Sequence, residues 1–216
     1  MICILTTPTR AYEAYNHSNF IVIKEQLFSD KNQTSYLSLP ENTSITENVF
    51  VAVDDVCAIA VAQAENEYQI KKDLLQTIAS VESGRWSKLR DKRVAWPWTV
   101  QSNGSGHYYK TKEEAVQAVK DLQAKGITNI DVGCLQINLK YHGQAFSSVE
   151  DALDPEKNAV YGAKFLKNMY EKNGHNWQRT AMQYHSKNHH KGLIYKKRLE
   201  KHFAEYIKPN TPQTLF

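Results

Sequence analysis

Glu82 is the residue best placed by its neighbours to do acid–base chemistry. In a helix, Leu75, Ile78, Ala79 and Glu82 follow the spacing that puts side chains on one face, and Gly84 then indicates the helix end. A carboxyl held against apolar side chains loses hydration, which raises its pKa and keeps it protonated near neutral pH. Such a group can serve as a general acid. The alternative is a helix that frays before Glu82 and leaves the carboxylate in water.

Length, composition and charge exclude several classes of protein. The chain has 216 residues, of which 41% are hydrophobic and 23% charged, so it suits one domain with an extension or two small domains. The net charge of +4 comes without a dense basic run, which argues against nucleic-acid binding, although it would favour an anionic polymer. The longest apolar stretch, 49–64, is interrupted by Asp54 and Asp55, so no transmembrane segment is predicted.

The cysteines and histidines limit the chemistry further. Cys3, Cys57 and Cys134 allow at most one internal disulfide and leave one thiol free. His185, His189 and His190 lie close together in the sequence. They are interpreted as a surface cluster rather than a metal site, because no carboxylate or thiol completes a ligand set. Neither a metal nor another cofactor is predicted. The apolar start, 1–5, is too short for a signal peptide, so the chain is either cytosolic or begins after the start of its natural precursor.

The distribution of polar and apolar residues along the sequence indicates the elements that must position Glu82. Residues 1–52 are polar and predict an N-terminal extension of undetermined order, with β-like runs at 20–23 and 49–51. Helical periodicity begins at Val53 and predicts a second region over 53–208, followed by a short tail over 209–216.

Inside the second region, turn and capping residues mark the helices. Residues 86–110 predict a loop or a short β-hairpin that turns at Asn103-Gly104, and Thr111 begins a helix through a capping box. Residues 127–140 are interpreted as a connector. Asp154-Pro155 begins another helix. Two more helices follow, one with Trp177, Ala181 and Tyr184 on one face and a last one marked by Tyr195, Leu199 and Phe203.

Three short motifs together resemble those of the soluble lytic transglycosylases. They are Glu82-Ser83, Gly133-Cys134-Leu135-Gln136 and Gln183-Tyr184-His185, which are similar in order to the family's Glu-Ser, Gly-Leu-Met-Gln and Ala-Tyr-Asn. Asp154-Pro155 with Asn158 and Gly162 resembles the family's helix after the second motif. The similarity covers residues 53–207 and implies a mainly α, lysozyme-like α+β fold with a small β-hairpin element.

The resemblance also implies a reaction. In the family one glutamate, here Glu82, protonates the glycosidic oxygen between N-acetylmuramic acid and N-acetylglucosamine of peptidoglycan. Its carboxylate then deprotonates the muramic acid 6-hydroxyl, and a 1,6-anhydro sugar forms without water. One alternative is a hydrolytic muramidase in which Asp131 places the water, although a structural role for Asp131 is favoured. The other is a non-catalytic wall-binding component of a secretion system.

Further site residues follow from the same motifs. Gln136 is expected to bind sugar, and Asn138 to bind sugar or fix its loop. Ser83 is counted among the substrate-binding residues, where it could bond Glu82 or cap the helix. Tyr184 matches the motif tyrosine near the acid, although its helical spacing alone would favour a core role. Either Trp96 or Trp98 is expected to border the groove, and Trp96 is the choice made here.

The resemblance also suggests a location and partners, and the positions of Cys57 on the first helix and of Cys134 in the second motif suggest a disulfide. Residues 95–100 resemble a branch with an enlarged middle lobe, some members of which accompany envelope-spanning secretion machines. A periplasmic or cell-envelope monomer is expected, with glycan strands as substrate and secretion-machine or envelope proteins as candidate partners. In an oxidising compartment, Cys57 and Cys134 are the expected disulfide pair and Cys3 stays free. The alternative is two buried thiols that act as small apolar residues.

Overall fold

The computed structural model describes residues 14–17, 20–23, 52–207 and 214–216. The chain divides after Val51 into two units, which are treated separately. In the first unit, β1 (Ala14–His17) pairs antiparallel with β2 (Phe20–Ile23). The β-like run predicted at 20–23 is therefore a strand, whereas the run predicted at 49–51 lies outside the described residues.

The second unit is mainly helical, as the motifs imply. Its helices are α1 (Val53–Glu67), α2 (Leu74–Ser83), α3 (Lys112–Ala124), α4 (Leu139–His142), α5 (Val149–Ala152), α6 (Pro155–Lys172), α7 (Trp177–His185) and α8 (His189–His202). A 3₁₀ turn, Gly143–Ala145, follows α4, and a π-helical turn, Phe203–Ile207, follows α8. The predicted caps are present, because the side chains of Thr111 and Asp154 accept backbone N–H groups of α3 and α6.

Short antiparallel strands form the middle of this unit. β3 (Gly84–Ser87) pairs with β4 (Lys92–Ala95), directly after α2. A second sheet has the order β6-β5-β7-β8, from β5 (Thr99–Ser102), β6 (Ser105–Tyr108), β7 (Ile130–Val132) and β8 (Ile137–Asn138). The β5–β6 hairpin turns at Asn103 and Gly104 with φ of 50° and 78°, as an Asn-Gly pair favours. The predicted connector over 127–140 instead holds β7 and β8.

Two apolar clusters hold these elements in place. The larger lies among α1, α2, α6, α7 and α8 and includes Leu75, Ile78 and Leu166, all fully buried. The smaller joins β5, α3, β7 and α5 through residues such as Val119 and Ile130. In the described part of the predicted tail, the side chain of Leu215 is 2% exposed and belongs to the larger cluster.

The N-terminus of α2 is fixed by a carboxylate from α1. Glu65 is buried, and its oxygens accept hydrogen bonds from the N–H groups of Asp73 at 2.7 Å, Leu75 at 2.8 Å and Gln76 at 3.4 Å. These donors have no partner inside the helix, and the side chain at the cap position, Asp73, does not bond them. Glu65 thus takes the place of a local cap and holds the helix that carries Glu82 against α1.

Candidate active site

A cleft of about 330 Å³ opens beside the C-terminal end of α2. Of the predicted site residues, Glu82, Gln136, Asn138 and Tyr184 line it, and Asp131 lies among them. The remaining lining side chains come from four parts of the unit. They are Gln101 of β5, Ile137, Tyr141 and His142 in or just before α4, Phe165 of α6, and His185 of α7. Residues far apart in sequence therefore meet in one concave site, the usual form of a ligand-binding or active site.

Glu82 has the environment of a general acid. Helix α2 continues through Ser83, so it does not fray before the carboxyl. Burial raises the pKa of Glu82, and the neighbouring Asp131 carboxylate raises it further, while the Tyr195 hydroxyl and the Arg198 charge oppose the rise. Because burial is the largest of these effects, the Glu82 carboxyl holds its proton at a higher pH than a glutamic acid in water.

Tyr195 is a site residue that the sequence motifs did not indicate. It lies on α8 with 1% of its surface exposed, and its ring stacks on His185 with centroids 4.5 Å apart. Among the described residues, its buried hydroxyl has no partner that meets hydrogen-bond geometry. It is nonetheless close enough to Glu82 to favour the ionised carboxylate. The sequence could have indicated Tyr195 only through its chemistry, because the hydroxyl of a tyrosine on a buried helix face needs a polar neighbour.

The turn of the second motif is shaped by close packing against α6. Gly133 has φ of 81°, and a Cβ added there would collide with the Asn158 side chain. Asn158 is fully buried; its Nδ2 donates to the carbonyl oxygens of Val132 at 3.0 Å and Ala152 at 2.9 Å, and its Oδ1 accepts from Leu135 N at 2.9 Å. The side-chain amide therefore replaces missing backbone partners and fixes the turn.

Gln136 follows in this turn with φ of 48°, which is unusual for a residue other than glycine. Its Nε2 donates to the carbonyl oxygens of Gly133 at 2.9 Å and Thr99 at 3.1 Å, which orients the side chain. Its Oε1 is buried without a partner among the described residues. Gln136 therefore lines the cleft with an oriented amide and leaves one buried acceptor unsatisfied in the cleft wall.

Tyr184 lies between the motif turn and the acid. Its hydroxyl donates to the carbonyl oxygen of Leu135 at 2.8 Å, so it braces the turn from α7. Burial raises its pKa well above the ordinary tyrosine value, and the charges of Glu82 and Asp131 raise it further. Tyr184 thus stays protonated beside the cleft across the physiological range.

Asp131 and Asn138 form a pair across the β7–β8 hairpin. Asn138 Nδ2 donates to Asp131 Oδ1 at 2.8 Å and to Asn129 Oδ1 at 2.8 Å, so Asn138 both lines the cleft and fixes its wall. Burial raises the pKa of Asp131, and the bond from Asn138 lowers it by less. The carboxylate therefore has a structural partner, yet it also faces the same cleft as Glu82.

Two expected substrate contacts lie elsewhere. Ser83 is fully buried, and its hydroxyl donates to Cys134 O at 2.7 Å with Ala79 O at 3.1 Å, because the helix turns this side chain away from the cleft. Trp96 is only 2% exposed and does not line the cleft. Its indole N–H donates to Tyr109 O at 2.7 Å, and its ring is covered by the Arg85 guanidinium at 3.2 Å. Both expectations are corrected, and these residues are assigned to the supporting structure.

A disulfide lies behind the motif turn. Cys57 of α1 and Cys134 are bonded, with Cα atoms 5.6 Å apart, inside the separation of about 7 Å that a bridge permits. Both residues are fully buried. The bond ties α1 to the turn that presents Gln136, while Cys3 lies outside the described residues.

Comparison with known proteins decides the family. Residues 59–206 match the model of the transglycosylase SLT domain. The chain belongs to the SLT transglycosylase family. No curated protein and no solved structure matches the chain significantly. The mainly α, lysozyme-like fold agrees with this assignment, and SLT domains act in the lytic cleavage of peptidoglycan.

Within the described ranges, no helix is both long and apolar enough to cross a membrane. Over the same residues, histidine, cysteine and carboxylate side chains form no group of three or more that could hold a metal ion. Of the three clustered histidines, His185 lines the cleft and His189 lies at a separate cavity between α7 and α8.

Proposed function

We propose that the protein is a lytic transglycosylase in which Glu82 is the single acid and base. The observation that carries the proposal is the Glu82 carboxyl, which lies in the SLT-matching region, lines the cleft and has its pKa raised by burial. A protonated carboxyl beside a polysaccharide groove can donate to a glycosidic oxygen, and burial keeps it protonated at the pH where it must act.

The bond changes balance without water. Glu82 gives its proton to the oxygen of the β-1,4 bond between N-acetylmuramic acid and N-acetylglucosamine, and the C1–O bond breaks. The Glu82 carboxylate then accepts the proton of the 6-hydroxyl on the same muramic acid, whose oxygen bonds to C1. The products are a free 4-hydroxyl and a 1,6-anhydromuramic acid end. The internal hydroxyl can replace water because proximity gives it a high effective concentration.

Other residues of the cleft support these steps by position. Gln136 lines the cleft, and a sugar hydroxyl or N-acetyl N–H would satisfy its buried Oε1 if the amide turns toward the substrate. Tyr184 and Asn138 hold the walls through Leu135 and Asp131. After Glu82 has given its proton to the glycosidic oxygen, the Tyr195 hydroxyl can donate a hydrogen bond to the Glu82 carboxylate. This bond stabilises the negative charge until Glu82 takes up the next proton.

A second candidate, a water-using muramidase, has one observation in its favour. Asp131 lines the same cleft as Glu82 and interacts electrostatically with it, so a second carboxylate is present as in two-carboxylate glycosidases. In that mechanism Asp131 would place a water or stabilise the sugar cation, and the new muramic acid end would be reducing. We favour the transglycosylase because Asn138 already donates to Asp131 Oδ1, which gives this carboxylate a structural partner in the cleft wall.

Digestion of purified sacculi in heavy-oxygen water separates the candidates. Mass spectrometry of the released muropeptides should show 1,6-anhydro ends without the heavy isotope. Heavy oxygen at the new muramic acid end would establish hydrolysis instead. The Glu82→Gln protein is the matched control, and retained sacculus binding without turnover by the unaltered protein would support a non-catalytic wall-binding role.

An envelope location is also part of the proposal. The peptidoglycan substrate supports it, and so does the Cys57–Cys134 bond, since disulfides persist in oxidising compartments. Immunodetection in separated cell fractions tests it, and recovery of the reduced protein only from the cytosol would contradict it.

A further inference from the structure

Tyr108 lies on the face of the four-stranded sheet that forms one wall of the cleft. Gln101, Asp131 and Asn138 all line the cleft, and they lie side by side across β5, β7 and β8, since each is paired with the next. Residues directly opposite on paired strands share a face, and so do residues two apart on one strand. Gly106 of β6 pairs with Gln101 and continues the row, so Tyr108 lies on the same face at the β6 edge of the sheet. The cleft wall therefore continues past Gln101 to Tyr108.

Tyr108 reaches from this edge to the end of the helix that carries Glu82. Its hydroxyl donates to the carbonyl oxygen of Gly84 at 2.8 Å, and Gly84 is the C-cap of α2. The guanidinium of Arg93 donates to the same oxygen. The side chains of Tyr108 and Arg93 therefore meet at one atom, two residues after Glu82.

Trp86 extends this surface along the β3–β4 hairpin. Trp86 and Arg93 are directly opposite on the two strands, so their side chains share a face. Gly84 lies on that face too, and a Cβ added there would be 3.3 Å from Arg93 Nε, so the Arg93 side chain runs from its place opposite Trp86 to Gly84. The other face of β3 packs inward through Ser87, which is 2% exposed. Trp86, Arg93 and Tyr108 thus form one outward surface, which we call the aromatic extension.

The aromatic extension leaves large rings in contact with water. Trp86 is 53% exposed and Tyr108 is 46% exposed, although both belong to regular strands. Exposed aromatic area forgoes the burial that would stabilise the fold, so a group of such residues marks a binding surface. The rings offer broad apolar faces, and Arg93 has N–H groups beyond the one bonded to Gly84. No step of the proposed reaction uses these side chains.

We propose that the aromatic extension binds sugar rings of the glycan strand beyond those held in the cleft. The C–H faces of pyranose rings pack on aromatic rings, and hydroxyl and N-acetyl oxygens accept hydrogen bonds from a guanidinium. Continuity with the cleft supports this occupant, because Tyr108 shares a sheet face with Gln101 and contacts the residue that ends the Glu82 helix. The proposal rests on the function proposed for the cleft and assigns a substrate class, since it makes long glycan strands better substrates than short fragments.

Oligomers of β-1,4-linked N-acetylglucosamine test the aromatic extension without turnover. Isothermal titration of the Glu82→Gln protein with the trimer and the hexamer measures the affinity gained from the additional rings. Trp86→Ala in this background should weaken hexamer binding by roughly tenfold, which corresponds to about 1.4 kcal/mol, and leave trimer binding unchanged. Trp86→Tyr keeps a ring and should restore most of the hexamer affinity. Leu89→Ala is the matched control and should bind both oligomers normally, since Leu89 is 65% exposed between β3 and β4 but lies outside the aromatic extension.

Three results would overturn the proposal. Equal affinity of the Glu82→Gln protein for the two oligomers, or binding of neither, would show that no sugar is held beyond the cleft. Equal losses for trimer and hexamer in Trp86→Ala would show that the surface does not extend the cleft. Loss of binding to phosphatidylglycerol vesicles in both Trp86→Ala and Leu89→Ala, with the hexamer bound normally, would assign the hairpin to an anionic lipid surface. Failure of the parent to release muropeptides would overturn the proposed reaction alone, because the titrations need no turnover.

Discussion

The hydroxyl of Ser83 donates a hydrogen bond of 2.7 Å to the carbonyl oxygen of Cys134, with both residues fully buried. Ser83 follows Glu82 in α2, and Cys134 comes two residues before Gln136. This bond therefore sets the distance between the acid and the amide proposed to bind sugar. The disulfide from Cys134 to Cys57 holds the same turn from α1. The geometry of the cleft wall thus depends on contacts between buried residues that do not themselves line the cleft.

Glu82→Gln should abolish turnover without unfolding the protein. The amide keeps the shape of the side chain but has no proton to transfer, and general acid–base catalysis contributes about 10²–10⁴-fold. Release of muropeptides from sacculi measures the effect, with circular dichroism as the check on folding. Glu171→Gln, at an exposed position of α6, is the matched control and should keep full activity. A Glu82→Gln rate within a few-fold of the parent would disprove the assignment.

The same variant should be more stable than the parent near neutral pH. Burial raises the pKa of Glu82 above the ordinary value of 4.5, so the folded state binds its proton more tightly than the unfolded state. The parent therefore loses stability as the pH rises from about that ordinary value through the raised pKa. Glutamine does not ionise, so Glu82→Gln escapes this loss, and its advantage should vanish in acid. Urea unfolding of both proteins across this range measures the difference, and a constant difference would contradict the raised pKa.

The helices could be predicted from the sequence because their signals are local. The apolar spacing of α2, the Thr111 cap and the Asp154-Pro155 start each lie within one helical turn of the residues that they organise. The strands β3, β7 and β8 could not, since they have two to four residues and are defined by partners elsewhere in the chain. Only the Asn103-Gly104 hairpin carried its own turn signal.

The site residues also differ in whether local sequence could predict them or only contacts between distant parts of the chain. Residues inside the three motifs, such as Glu82, Gln136 and Tyr184, could be placed at the cleft by resemblance. The direction of a side chain could not, and Ser83 faces away from the cleft because successive helical residues point about 100° apart. Tyr195 was missed because its role depends on α8 packing against α2, a contact between distant parts of the chain.

Two tyrosine variants should separate chemistry from structure. Tyr195→Phe removes a buried hydroxyl that lacks a well-placed partner, so stability should hold or rise while kcat falls. Tyr184→Phe removes the donor to Leu135 O at 2.8 Å, so it should lower the free energy of unfolding by about 1 kcal/mol. Urea unfolding and steady-state kinetics measure both. If Tyr195→Phe lost stability but kept kcat, Tyr195 would be a core residue without a part in the reaction.

Loss of the disulfide should lower stability and activity together. Cys57 and Cys134 are 77 residues apart, and the chain-entropy model gives such a bridge about 4 kcal/mol. Cys57→Ala with Cys134→Ala should therefore melt at a clearly lower temperature and turn over more slowly, because the motif turn is released. Cys3→Ser is the control and should change neither. Thiol titration of the denatured, unreduced parent should find one free thiol, and three would show that the bridge is not formed.

Gly162→Ala tests whether the packing of α6 sets the position of the motif turn. An added Cβ would overlap the end of the Leu135 side chain and lie 3.2 Å from Leu135 Cβ, and Leu135 is fully buried in the larger apolar cluster. Overpacking of this kind costs about 1–3 kcal/mol, and the shift of Leu135 should carry Gln136 with it. Gly143→Ala is the matched control, since its Cβ would meet nothing within 4 Å. Two measurements distinguish loss of stability from displacement of the turn. Urea unfolding gives the stability of each variant, and turnover is measured at a temperature where both variants are folded. A turnover loss in Gly162→Ala under those conditions reports displacement of the turn, and equal turnover in the two variants would show that the cleft does not depend on this contact.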